Sequence, residues 1–446
     1  MLNMRNNTLA AILGTLIVIM PTTWCAGGLE DLMDNDGKIW SLTPDEFMSA
    51  QGGNGFRWLS ASNKNNARSV NDQLTFAGAK SIETIARFLD GKLHQIVVYV
   101  YTRGDAGEIG ESEFEELVAD TEKQITAWAG IEPLPVVEEA RPTGVRLAGK
   151  SWNKKPHRVD MEWSYAKRRS VRGTQFPYRA EYIRLQLGAL VAAKNTAPQI
   201  HDNSMKNKLA RSNLKDLPKR VLKSGTGDVK IEGVPMVDQG MKGYCVAATV
   251  ERVLRYYGND VDQHEIAQLA RSSADEGTSP TMMAEGLKRA GTKLGIKLTI
   301  YHQFKANDFL RMIDKYNRNA RRKKLPQIET GQMIMVSEVY QQMDTETLKE
   351  TQAKPEGYLR GFMNDIIKDI DLGMPLAWSV VLGKIEEDPP LPQAAGGHMR
   401  LIIGYNTKTA EIFYTDSWGR GHECKRMNAL DAWAITTALY SLRPRP

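Results

Sequence analysis

Val234-Pro-Met-Val-Asp-Gln-Gly-Met-Lys-Gly-Tyr-Cys-Val-Ala-Ala-Thr249 decides the reading of this chain. Glycines at 240 and 243 loosen a loop that delivers Cys245 to the start of an apolar series, Val246, Val250, Val253, Leu254 and Tyr257. That spacing is helical, and Gly258 suits the position just past a helix end. A helix N-terminus carries unpaired backbone N–H groups and partial positive charge, which favours thiolate over thiol. An ordinary cysteine, with a pKa of about 8.5, is mostly protonated at neutral pH, and such a site lowers that value. The Cys245 N–H at the same helix start can point at a developing oxyanion. Gln239, six residues upstream, can supply a second donor through its side-chain amide.

A thiol nucleophile needs a base, and a second stretch offers one. Gly396-Gly-His-Met-Arg-Leu-Ile-Ile-Gly404 puts His398 at the start of an apolar strand, behind two glycines that allow close approach. Asn406–Ala410 reads as a hairpin turn, and Glu411–Thr415 as the returning strand. Asp416 follows in Tyr414-Thr-Asp-Ser-Trp-Gly419. Strands paired in this way bring His398 and Asp416 side by side, where a carboxylate fixes the imidazole tautomer. Trp418 is placed to shield that contact from water.

The order Gln239, Cys245, His398, Asp416 resembles the papain-like cysteine peptidases, whose oxyanion-hole glutamine stands six residues before the nucleophile. Asp416-Ser-Trp-Gly419 resembles the papain Asn-Ser-Trp-Gly segment with aspartate for asparagine. The aspartate, the short helical part and the pattern His398…Gly404-Tyr405…Asp416 are closer to the C39-like branch, which contains the bacteriocin leader-processing peptidases. The resemblance covers about residues 234–446. It implies an α+β papain-like domain, with a helical half carrying the nucleophile and an antiparallel sheet after it. Cys245 would be nucleophile, His398 base, Asp416 orienting group, Gln239 oxyanion donor and Trp418 support. Val-Ala-Ala after Cys245 departs from the papain Gly-Ser-Cys-Trp context, so substrate preference does not carry over. Leader processing does not carry over either, since no transporter accompanies the domain.

Outward from this core, five helical patterns and three strands follow Val234: helices from Cys245, over about Val261–Arg271, from Ser279-Pro280 to Gly291, around Phe309–Tyr316 and over Leu359–Ile370, then strands at Leu376–Leu382, Met399–Tyr405 and Glu411–Thr415. Before it, Asn195–Gly233 is polar and basic without sustained periodicity, so residues 196–233 read as a linker or surface arm. Residues 28–195 read as a separate α+β domain. There, Ser81 is placed to cap a helix bearing Ile82, Ile85, Ala86 and Leu89. Leu93–Tyr101 is a strand. Ser112 with Glu115 forms a capping-box pattern ahead of a helix through Phe114, Leu117, Val118, Thr121, Ile125 and Trp128, ending at Gly130. Further strands fall near Val159–Trp163 and Ala180–Leu187.

The first 27 residues describe a secretory signal. Arg5 precedes the apolar run Leu9–Met20, then come Pro21 and the small-residue stretch Cys25-Ala-Gly-Gly28, with cleavage expected near 26–28. Two alternatives compete: an uncleaved N-terminal anchor, for which the run is short, and lipid attachment at Cys25, for which Thr22-Thr-Trp24 is a poor approach. Export to the periplasm, cell surface or medium is the expectation. The chain has only three cysteines, which suits an exported enzyme keeping a reactive thiol, so Cys245 is expected free; pairing with Cys424 would block catalysis.

Other signals carry little. The net charge of +6 over 446 residues comes without a basic and aromatic stripe, so nucleic acid is not an expected partner. Gly144-Val-Arg-Leu-Ala-Gly-Lys-Ser151 matches a phosphate loop by letter, but Arg141-Pro142 before it and Trp-Asn-Lys-Lys-Pro156 after it break the strand–loop–helix context. Arg321–Lys324 and Lys167–Arg169 read as solvated ends of elements. His264-Glu265 lacks the second histidine of a zinc helix, and no Cys-x-x-Cys exists.

The resulting expectation is an exported thiol hydrolase cleaving a peptide or amide bond, needing no metal or cofactor. Its partners would be a peptide or protein substrate and, through the N-terminal domain, a component of the cell envelope. An inhibitory pro-segment is the other role for that domain, with the 196–233 arm as the place to cut. Two alternatives remain: a transglutaminase-like acyl transferase, and a peptide- or envelope-binding module that keeps the fold without turnover. Gln239 favours the peptidase over the transferase.

Overall fold

A computed structural model describes residues 28–33, 35–140, 145–171, 174–190, 215–240, 243–259, 261–270, 284–288, 291, 294–330 and 335–445. The expected secretory signal lies outside them. So do residues 196–214 of the arm and most of the helix expected from Ser279.

Two antiparallel sheets organise these residues, each over its own hydrophobic core. The N-terminal sheet comprises β1 (Arg57–Trp58), β2 (Asn66–Ser69), β3 (Glu83–Leu89), β4 (Lys92–Thr102), β5 (Leu134–Ala140), β6 (Val145–Trp152), β7 (His157–Ala166) and β8 (Arg179–Ala189), in the order β1-β2-β3-β4-β8-β7-β6-β5. Helix α1 (Glu111–Ala129) contributes buried Phe114, Val118 and Ile125 to that core and closes at Gly130, whose φ is +68°.

Two expectations change here. β3 is a strand, not the helix drawn from Ile82, Ile85, Ala86 and Leu89: Thr84, Ala86 and Phe88 are buried while Leu89 is exposed. A period of two, backed by pairing with β2 and β4, overrides a chance helical spacing. Helix α1 starts one residue before Ser112, with Gly110 at its cap and no side-chain cap bond, so Ser112 and Glu115 form no capping box. The phosphate-loop letters from Val145 onward run along the extended β6.

The C-terminal sheet contains β9 (Val221–Lys223), β10 (Asp228–Ile231), β11 (Ile296–Gln303), β12 (Leu376–Leu382), β13 (Gly396–Asn406), β14 (Glu411–Thr415), β15 (Lys425–Asn428) and β16 (Thr436–Pro444). Six run β9-β10-β13-β12-β16-β11, and β14 pairs with both β13 and β15. The described end of the expected arm is therefore a hairpin of this sheet. Val229 and Ile231 turn into the core while Lys219 and Lys223 stay in water, an alternation too short to stand out from the surrounding lysines. The helices here include α2 (Cys245–Tyr256), α3 (Gln263–Ala270), α4 (Ala306–Arg322), α5 (Glu356–Asp371) and α6 (Ala429–Ile435), with two shorter ones at Val336–Gln342 and Thr345–Gln352 between α4 and α5. Mixed helix and antiparallel sheet make the chain α+β. Among the described residues no helix is long and apolar enough to cross a membrane.

Candidate active site

Cys245 is the first residue of α2, behind Tyr244. The helix forms because Val246, Val250, Val253 and Leu254 all find apolar cover. It is fixed against the sheet by two polar ties. Thr249 Oγ1 donates to the Met399 carbonyl at 3.1 Å. Arg252, fully buried, donates to the carbonyls of Pro235 (2.8 Å) and Asp416 (2.7 Å) and to Thr415 Oγ1 (2.7 Å). One guanidinium thus joins the nucleophile helix, the loop before it and the end of β14.

His398 and Asp416 come from the β13–β14 hairpin. Leu401 lies opposite Thr415, so Asp416, one residue past β14, falls beside the inward face that His398 and Arg400 share. His398 Nε2 is 3.3 Å from Asp416 Oδ1, and both side chains are fully buried. Trp418 covers the imidazole, its ring stacked at 4.0 Å between centroids and 3° between planes. The Cys245 thiol lies within interaction range of His398. Neither ring nitrogen has strict hydrogen-bond alignment, as is common in catalytic sites without substrate. Cys245 is half-buried, and both it and Cys424 are free thiols.

These positions act on the protons. Burial alone raises the Cys245 pKa, but His398 and backbone hydrogen bonds from Met399 and Val246 outweigh it and bring the thiol below its ordinary value. Burial alone lowers that of His398, yet Asp416 and Cys245 raise it overall. Burial works against the Asp416 carboxylate as well, and Arg400, His398 and His422 hold it well below the usual range. All three shifts favour a thiolate–imidazolium pair beside a carboxylate.

Gln239 is buried against Ser417. Its N–H donates to the Ser417 carbonyl at 2.9 Å, and its Oε1 accepts from Ser417 Oγ at 2.6 Å. The structure therefore gathers Gln239, Cys245, His398, Asp416 and Trp418 into one cluster.

Several neighbours went unread in the sequence. Arg400 Nε lies 2.8 Å from the same Asp416 Oδ1 that His398 approaches, and its Nη2 donates to Glu387 at 2.7 Å. Lys425 reaches Glu387 at 2.9 Å and Asp416 Oδ2 at 3.6 Å, and His422 Nδ1 reaches that Oδ2 at 3.6 Å. Arg400 had one readable sign, its place two residues after His398 on a strand, hence on the same face.

Residues 231–440 match the Peptidase_C39 like family, which makes this half of the chain a domain of the papain-like cysteine-peptidase class. Within that class it is a C39-like domain. No curated protein matches the chain.

Proposed function

We propose that the chain is an exported cysteine peptidase that cleaves a peptide bond in a peptide or protein substrate. The observation that carries this is the approach of one imidazole, His398, to the Cys245 thiol on one side and the Asp416 carboxylate on the other. Asp416 faces Nε2, which leaves Nδ1 as the nitrogen for the thiol. His398 takes the thiol proton, and Cys245 Sγ attacks the carbonyl carbon. The oxyanion that forms is received by the Cys245 N–H at the start of α2 and by the Gln239 amide. Imidazolium then protonates the leaving amine as the C–N bond breaks, and water releases the acyl group through the same base. Trp418 keeps water from the His398–Asp416 contact. Export rests on the basic start and short apolar run of residues 1–27.

The test is a mixed-sequence peptide library incubated with the folded chain and with Cys245→Ala and His398→Ala. Both substitutions should abolish cleavage while leaving the circular dichroism spectrum unchanged. Normal cleavage by Cys245→Ala would remove the assignment. A labelled amine acceptor in the same mixture detects acyl transfer. A Cys245 inert to iodoacetamide at neutral pH would favour a binding module instead.

A further inference from the structure

Two short segments carry the donors assigned to the oxyanion, Asp238–Gln239 and Tyr244–Cys245, and both are gripped from the N-terminal sheet. Arg68 on β2 pairs with Glu83 on β3 and donates through Nη1 to Asp238 Oδ2 at 3.1 Å. The other Asp238 oxygen accepts the Gly240 N–H at 2.8 Å, and the Asp238 carbonyl accepts from Gln263 Nε2 at 3.2 Å. Asp238 also bridges to Trp418 as an isolated β pair. Gly240 follows with φ +68°, and a Cβ there would stand 3.3 Å from Arg68 Nη2, so loop and guanidinium are closely fitted. On the second segment, buried Tyr244 meets His264 edge-on at 5.8 Å, and His264 packs against Tyr99 of β4 at 4.5 Å.

The contact between the two halves is polar and buried, which argues against easy separation. Arg184 of β8 binds Glu162 of its own sheet together with Asp262 and Glu265 at the start of α3. Tyr99 donates to Asp262 at 2.6 Å, and Gln268 donates to Ser164. Removing the first half would take Arg184 away from Asp262 and Glu265 and Arg68 away from Asp238. That is a poor design for a pro-segment meant to be cut away.

We infer that the N-terminal half is a permanent part of the active site, with Arg68 acting through Asp238 as a positioning residue for the Gln239 amide. The inference rests on the peptidase reading above. Arg68 touches no substrate in this scheme. It fixes one side of the loop whose other side is the Asp238–Trp418 bridge, so that Gln239 is held ready before the oxyanion develops. Loss of an oxyanion donor, or displacement of it by about 1 Å, costs on the order of 100-fold in turnover.

The experiment uses the full chain and a fluorogenic peptide selected from a mixed library. Arg68→Met and the isosteric Asp238→Asn are each expected to lower kcat at least about tenfold with KM within about twofold. The rate of Cys245 alkylation by iodoacetamide, a displacement with no oxyanion, should stay within about twofold in both. Arg68→Lys, which keeps the charge, should recover part of kcat, and the double variant should be no worse than the poorer single one. Folded variants that alkylate normally and turn over normally would overturn the inference while leaving the peptidase reading intact. Should Arg68→Met fail to fold, Asp238→Asn decides by the same two readouts. A Cys245 that is unreactive in the unaltered chain would overturn the peptidase reading and this inference with it.

Discussion

Arg400 offers a sharp test of the electrostatics around His398. Its Nε lies 2.8 Å from Asp416 Oδ1 and the His398 Nε2 lies 3.3 Å from the same oxygen, so these two nitrogens are no more than about 6.1 Å apart. Two positive charges at that separation repel by about 2.7 kcal/mol at an effective dielectric of about 20. That is about 2 pKa units of opposition to the imidazolium. Arg400→Gln removes it while keeping a polar, uncharged side chain that is shorter. The arrangement of charges agrees in sign. Asp416 is faced by His398 and Arg400 from β13, by Lys425 from β15 and by His422 from the loop between β14 and β15, with Glu387 on the far side of the two cations. Arg400 and Lys425 stand against Asp416 and Glu387, and buried Arg252, which donates to the Asp416 carbonyl, adds a further positive charge close by. Without Arg400 the cluster loses one positive charge, and imidazolium meets that much less opposition. The assay is an NMR titration of the histidine rings in a Cys245→Ser background, with and without Arg400→Gln. The chain has seven histidines, few enough to identify the His398 signal through His398→Gln. The His398 pKa should rise by about 2 units. The imidazolium form would then persist to higher pH, and the basic limb of kcat/KM would move up with it. A rise below about half a unit, or a fall, would refute the reasoning that His398 and Arg400 share one carboxylate oxygen.

Burial pushes the Glu251 pKa in α2 up to about 7 against the opposing charge of Arg255, 3.1 Å away. Between the ordinary carboxylate range and pH 7 the folded chain therefore binds a proton that the unfolded chain has lost. Stability should fall by about 3 kcal/mol as pH rises from the ordinary carboxylate range through 7, and denaturant titrations of Glu251→Gln should lack that loss. Arg184→Met removes the guanidinium that buried Glu162, Asp262 and Glu265 share; a cost of about 3–5 kcal/mol is expected in urea unfolding, and an unchanged midpoint would contradict the interface described. Gly404→Ala places a Cβ 2.5 Å from the Val229 carbonyl oxygen and 2.7 Å from the Phe413 ring. It should lower the melting temperature by several degrees, about 1–3 kcal/mol, whereas Gly397→Ala, with open space, should not.

What could be read without coordinates was what one element, or two joined by a short turn, can express. Cys245 at a helix start follows from the glycine loop and the apolar stripe of α2, and the nearness of His398 to Asp416 follows from a hairpin whose turn is only Asn406–Ala410. The misreading of β3 has the same origin from the other side. Ile82, Ile85, Ala86 and Leu89 satisfy a helical period as well as Thr84, Ala86 and Phe88 satisfy a strand, and only pairing with β2 and β4 decides. Contacts that span the chain left no local trace. Arg68 and Asp238 are 170 positions apart, and nothing near either one announces the other. Arg252 shows the limit within a single helix. Its apolar neighbours announced α2, but one arginine in a helix ordinarily points to water, and its three buried acceptors come from the Pro235 loop and the Thr415–Asp416 turn.

The substitution of aspartate for asparagine in Asp416-Ser-Trp-Gly419 also finds its physical reason in a residue outside that motif. Arg400 is fully buried, two positions beyond His398 on the same face of β13, and it cannot lose its charge. Lys425 is nearly as deeply buried. Glu387 alone would leave one of these two cations without a counter-ion, a state far costlier than a closed network. An asparagine at 416 orients an imidazole equally well by hydrogen bonding, but it brings no charge to Arg400. The carboxylate therefore serves two masters through one oxygen, and what it gives Arg400 limits what it can give His398. On this reasoning Asp416→Asn alone should damage folding more than chemistry, while Asp416→Asn combined with Arg400→Gln should recover stability and part of the turnover. Equal stability of the single and the double variant would show that Arg400 is not what requires the aspartate.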